Sequence, residues 1–75
     1  MLAPIKLAPL PAEADTLIPA YQAPNYLGIA RQTLARWRTE GQGPRFVKLG
    51  RLVHYRVGDL REWINGQVRQ NTAKG

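Results

Sequence analysis

The sequence predicts a small, mainly α-helical domain that carries one two-stranded β-hairpin. Three observations predict it. Apolar residues recur at helical spacing in two stretches, Leu34/Trp37 and Leu60/Trp63/Ile64/Val68. Between them, Val, Phe, Leu and Tyr flank the dipeptide Gly50-Arg51, the pattern of two strands joined by a two-residue Gly-X turn. The chain has 75 residues and no Cys, which bounds it to one thin-cored domain without disulfides.

Taken in chain order, residues 1–17 are rich in Ala and Pro and read as a flexible arm, because that composition favours extended or polyproline conformations. Residues 18–69 are expected to form the domain. Its first helix spans roughly residues 20–27, with Ile18, Ala23, Tyr26 and Leu27 as its apolar face. Pro24 removes an N–H from that helix, so the first turn must kink, tighten to 3₁₀, or give way to a helix starting near Pro24. Gly28 ends it in the usual left-handed terminator, and Ile29 turns back into the core.

The second helix covers roughly residues 31–40 and stops at Gly41. Ala30 stands at its cap position, where Ser or Asn would serve better. Gly41, Gly43 and Pro44 open a loop. Residues 46–49 and 52–55 are the two strands. A last helix spans roughly residues 58–69, with Asp59 placed favourably for its dipole and Leu60, Trp63, Ile64 and Val68 as its buried stripe. The two Trp residues are expected to anchor the core. Residues 70–75 are polar and expected to fray.

Charge and composition narrow the function. Residues 18–75 hold ten Lys and Arg against Glu40, Asp59 and Glu62, a bias that attracts polyanions. With no Ser, no Cys and one His, the chain offers no serine or cysteine nucleophile and no His-based metal cage. His54 has no acidic pair and no second His, so a surface place on the hairpin is the better reading than a catalytic base. We expect no enzyme, no cofactor and no small-molecule substrate. No run approaches the ~20 apolar residues of a membrane span. The N-terminal stretch is a poor signal peptide, because Lys6 and three prolines interrupt its apolar part.

A helix, a tight turn and a second helix can place that second helix in the DNA major groove. Its outer face carries Arg31, Gln32, Ala35 and Arg36, the expected base-reading set. Arg pairs bidentately with guanine and Gln with adenine, while Ala35 leaves room for close approach. Thr33, Arg38 and Thr39 would meet the phosphates. Lys48 and Arg51 lie near the hairpin tip, with Arg45, His54, Tyr55 and Arg56 toward its base, and these would add backbone contacts. Tyr55 is expected to pack its ring and offer its hydroxyl to a phosphate. A solvated amphipathic helix would explain the helical charge, and edge protection would explain one or two basic residues on the hairpin. Five of them favour double-stranded DNA. Trp37 and Trp63 lie on apolar stripes and read as core, not as base-stacking platforms.

The joint pattern resembles a known family. Its members read E-A-A-x-x-L-G-V-S-x-x-T-L-x-x-W-R, then G-x-G-P-x-F-V-K-L-G-R, then V-x-Y-R and D-L-x-x-W-I/L. This chain has Tyr26-Leu27-Gly28-Ile29, Thr33-Leu34, Trp37-Arg38, the run from Gly41 through Pro44 and Phe46 to Arg51, Val53-His54-Tyr55-Arg56, Asp59-Leu60 and Trp63-Ile64. From Ile18 to Ile64 it resembles the small winged helix-turn-helix domains of the excisionase type, related to MerR-like DNA-binding domains. It departs at Pro19, Pro24, Ala30 and His54, where a Thr or Ser cap, a helix former, Ser and Arg are usual. The resemblance implies three short helices plus a two-stranded wing. It implies a protein of phage or mobile-element origin that binds and bends attachment-site DNA for a tyrosine integrase. Cooperative self-association along repeated sites is expected with it, in the cytoplasm on the nucleoid. Other relatives are small transcription regulators, and a module docking an acidic protein is a third reading.

Overall fold

In the computed structural model, which describes residues 7–69, the elements follow as β1 (Leu17–Pro19), a 3₁₀ turn (Ala20–Gln22), α1 (Ala23–Leu27), α2 (Arg31–Glu40), β2 (Val47–Leu49), β3 (Leu52–Arg56) and α3 (Val57–Gly66). This is a small winged helix-turn-helix. Pro24 settles the start of α1. The residues before it tighten into the 3₁₀ turn, and Pro24 falls in the first turn of the α-helix, where a missing N–H costs nothing. Gly28 ends α1 at φ 71°, with its N–H on the Pro24 carbonyl at 2.8 Å. That left-handed step, open to Gly without strain, lets α2 start three residues later. No side chain caps α2 at Ala30.

The sheet corrects the expectation of a two-stranded wing. It has three antiparallel strands in the order β1-β3-β2. Residues 17–19 supply the extra strand, pairing Ile18 with Tyr55. Ile18, expected on the face of the first helix, is instead a strand residue, 3% exposed between more open neighbours. Pro19 is tolerated there because β1 is an edge strand and needs no N–H on its open side.

The core consists of Ile18, Ala23, Leu34, Tyr55, Val57 and Leu60, with Leu10, Tyr26, Leu27, Ile29 and Trp37 packed against it. Tyr55, not a Trp, is the largest fully buried side chain. Trp37 and Trp63 are half-buried and lean on each other, ring centroids 5.8 Å apart and planes tilted by 52°. Strand β3 runs into α3 without a loop, so the helix begins at Val57. It ends at Gly66, short of the expected residue 69, and Val68 lies beyond it, 62% exposed and outside the buried stripe.

The N-terminal arm also differs from expectation over residues 8–16, which are fastened to the domain. No side chain caps α3. The arm does so with its backbone: the Val57 N–H donates to the Thr16 carbonyl at 2.9 Å and the Gly58 N–H to the Ala14 carbonyl at 2.8 Å. These are donors that a helix start otherwise leaves without partners. Gly58 makes the approach possible, since a Cβ there would stand 3.1 Å from the Ala14 Cβ. The Arg61 guanidinium donates to the Pro11 carbonyl and, at 3.3 Å, to that of Ala12. Ala8 donates to the Asn25 carbonyl at 2.9 Å. Residues 1–6 of the arm and the tail at 70–75 lie outside the described residues.

Arg61→Ala should therefore loosen the arm while leaving the core intact. Hydrogen exchange is the measurement. The Val57 and Gly58 amides should exchange about tenfold faster, the effect of losing roughly one hydrogen bond, while amides in α2 keep their protection.

Candidate nucleic-acid interface

Helix α2 buries Leu34 and half-buries Trp37, which turns the rest of its surface outward. Arg31, Gln32, Ala35, Arg36 and Thr39 are exposed along it, and Thr33 is half-buried. Arg36 approaches Glu40 one turn on, Nε to Oε2 at 3.8 Å, with both side chains largely in solvent. Such a pair is worth only about 0.3–0.5 kcal/mol and leaves Arg36 available to another partner. The Thr39 hydroxyl donates to the Ala35 carbonyl at 3.3 Å.

Strand alternation sorts the wing. Tyr55 points to the core, so Val53 and its cross-strand partner Lys48 share the face turned toward α2. Leu52, His54 and Arg56 occupy the other face. Gly50 and Arg51 form the tip, with Arg51 exposed. Arg45 is exposed in the loop that leads in from α2.

Helix and wing are joined by one polar contact. Arg38 Nη1 donates to the Tyr55 hydroxyl at 2.9 Å, and its guanidinium carbon lies 5.9 Å from the Tyr55 ring centroid. Beside this contact an open depression of about 330 Å³ separates the two elements, lined by Ala35, Arg38, Thr39, Phe46, Lys48 and Val53. Four residues singled out in the sequence thus meet in one place: Ala35, Arg38, Thr39 and Lys48. Phe46 was missed. It is 40% exposed and lines the same depression. Its even spacing from Lys48 along the strand direction was the signal that could have found it.

Two expected backbone contacts change, and a third residue, exposed Arg56, turns to the wing's outer face. Tyr55 is 0% exposed, and its hydroxyl is already engaged by Arg38, so it has no surface to offer a phosphate. His54, expected on the surface, is half-buried between Pro19 of β1 and Val47 of β2, and its Nδ1 is buried without a hydrogen-bond partner. The added strand β1 is what covers it. Arg56 sits on the same outer face and pairs with Asp59 at 3.8 Å.

Charge is divided by element. Arg31, Arg36, Arg38, Arg45, Lys48 and Arg51 belong to α2, the loop and the wing, where Glu40 is the one acid. Glu13 and Asp15 lie on the arm, and Asp59 and Glu62 on α3. Among the described residues no cluster of His, Asp or Glu could hold a metal ion, and no helix is long and apolar enough to cross a membrane.

An exposed basic helix beside a cationic hairpin is an arrangement by which small domains can grip duplex DNA. A family model described as a helix-turn-helix domain matches residues 22–68, most of the chain. The chain belongs to this helix-turn-helix family. It is a DNA-binding family that includes excisionase-like proteins. The matched span of the helix-turn-helix domain runs from the end of the 3₁₀ turn to just past α3, so it takes in both α2 and the wing. No curated protein matches the chain.

The Arg38–Tyr55 bond can be isolated by experiment. Tyr55→Phe keeps the buried ring and deletes the acceptor. Thermal denaturation should show a loss of about 1 kcal/mol, a Tm drop of roughly 4–8 °C in a domain of this size, with the circular dichroism spectrum unchanged.

Proposed function

We propose that this helix-turn-helix domain is an excisionase-like recombination directionality factor. In this reading it binds and bends attachment-site DNA and assists a tyrosine integrase in excising a mobile element, in the cytoplasm on nucleoid DNA. The observation that carries the DNA part is that six Lys and Arg of α2, the loop and the wing stand against one acid there, Glu40, with Arg38 of the helix and Lys48 of the wing lining one depression. The excision part is supported by the G-x-G-P-x-F-V-K-L-G-R pattern at residues 41–51 and by the excisionase-like members of the family.

Residues 18–69 act as the DNA-binding unit. Helix α2 enters the major groove, where Arg31, Gln32 and Arg36 read base edges and Ala35 admits the close approach. Thr33, Arg38, Arg45, Lys48 and Arg51 hold phosphates on either side, while the Thr39 hydroxyl is spent on the Ala35 carbonyl. A single module covers little DNA, so copies bind side by side on repeated sites. Bending comes from the wing and helix gripping the duplex at two places, which stabilises a curved path that touches more of the protein.

Salt titration tests the electrostatic grip. With about six phosphates neutralised, affinity should fall roughly a thousandfold between 50 and 200 mM salt. A flat response would refute it. Arg36→Ala should weaken a selected site more than random DNA, whereas Lys48→Ala should weaken both alike and lower the salt slope by about 1. Equal behaviour of the two variants would undo this division of roles. The recombination role is decided by an excision assay with the integrase encoded beside it, with and without this protein. Excision that proceeds equally in both, with a site bound at a promoter, would make the protein a transcription regulator of the same fold.

A further inference from the structure

We propose that the depression between α2 and the wing is a seat for one sugar–phosphate unit of the DNA backbone, with Phe46 as a DNA contact and Arg38 as its fixed phosphate ligand. This rests on the DNA-binding reading and specifies a subsite within it. The seat has a definite chemical layout. Arg38 and Lys48 stand on its two walls, one from each element, and Phe46, Val53 and Ala35 supply apolar surface. Two cations lining one depression together with apolar carbon match a deoxyribose whose phosphate projects from it: the sugar's carbon face meets the ring, and the phosphate oxygens meet the cations.

Among the basic residues of α2 and the wing, Arg38 is the one held on a fully buried side chain before DNA arrives. Its bond to Tyr55 uses one of five guanidinium N–H donors and leaves four. Tyr55 is fully buried on the central strand, so the anchor does not move. A free Arg side chain gives up rotamer entropy when it is ordered, and Arg38 has surrendered part of this in folding. A pre-set ligand binds with less ordering cost. The Thr39 hydroxyl is directed at the Ala35 carbonyl and is not the donor here. Phe46 is 40% exposed, beside the cations and away from the core cluster. An aromatic ring left open there acquires a partner when the backbone is seated.

The seat also fixes geometry. Its walls come from the element that reads bases and the element that flanks them, so the seated phosphate sets how deep α2 sits in the groove. Tyr55 is a positioning residue in this scheme, acting through Arg38.

The experiment uses the full chain and a duplex of about 20 base pairs selected from a random pool. Uncharged methylphosphonates replace the phosphates one at a time. In the wild type, one position should cost about tenfold in affinity, and in Arg38→Gln that same position should cost less than about twofold, the coupling expected of groups in direct contact. Arg38→Lys should not restore the coupling, because an ammonium lacks the fork that Tyr55 holds. Phe46→Ala should lose about tenfold with the salt slope unchanged, since the ring carries no charge. Phe46→Leu, with thermal melts of both variants, separates a lost contact from a damaged fold. If methylphosphonate losses are the same in wild type and Arg38→Gln at every position, or if Phe46→Leu and Phe46→Ala both bind as wild type, no unit sits in the depression although the protein binds DNA. If no duplex is retained by the wild-type selection, the DNA-binding reading itself fails.

Discussion

The hydrogen bond from Arg38 to Tyr55 ties together the two halves of this small domain. Helix α2 presents its outer face usefully only if the wing stands at a fixed height beside it. Apolar packing between Leu34 and the sheet brings the two near each other, but such packing is non-directional. The charged bond adds direction, because a guanidinium N–H prefers to point straight at the phenol oxygen, here at 2.9 Å. The phenol in turn cannot shift, being wholly buried on the middle strand with β1 on one side and β2 on the other. The third strand therefore matters to the interface although it lies away from it. By pairing Ile18 with Tyr55 it closes the open edge of β3 and locks the residue that locks Arg38.

Much of this was legible in the residues, for identifiable reasons. Gly28 and Gly41 punctuate the two helices at left-handed steps, and Leu34 with Trp37 mark the inner side of α2. Gly50-Arg51 announces the hairpin. Pro24 forced a choice at the first helix, and the chain resolved it with a 3₁₀ turn followed by a helix in which Pro24 occupies the first turn. The strand β1 was not legible. Three residues ending in Pro, after an Ala/Pro-rich stretch, carry no periodicity, and only the long-range pairing with β3 makes them a strand. The fate of the Tyr55 hydroxyl was hidden for a related reason: a packed Tyr ring often keeps its hydroxyl wet, and here the hydroxyl is buried on Arg38. Val68 fitted the helical spacing of Leu60 and Ile64, yet the helix had already ended at Gly66.

The candidate site shows the same divide. Basic residues on α2 and the hairpin could be found by position alone. Which of them meet could not, because that depends on strand alternation and on the register of β2 against β3. Lys48 turns toward α2, while Arg56 turns away and finds Asp59. Phe46 went unnoticed as a surface group because an aromatic residue next to a strand usually signals core.

The fastening of the arm has one more consequence, which concerns how the segment can evolve. What α3 and Arg61 take from residues 11–16 is carbonyl oxygen: from Pro11, Ala12, Ala14 and Thr16. Every amino acid supplies that atom, proline included. Side-chain identity along the strap is thus nearly unconstrained, provided it stays slim opposite Gly58 and keeps Leu10 against the core. Mutational drift there would be cheap, whereas an insertion or deletion would put every oxygen out of step with its donor. A stretch whose composition reads as low-information is in this sense written in backbone spacing, where a shift of one residue matters more than a change of side chain.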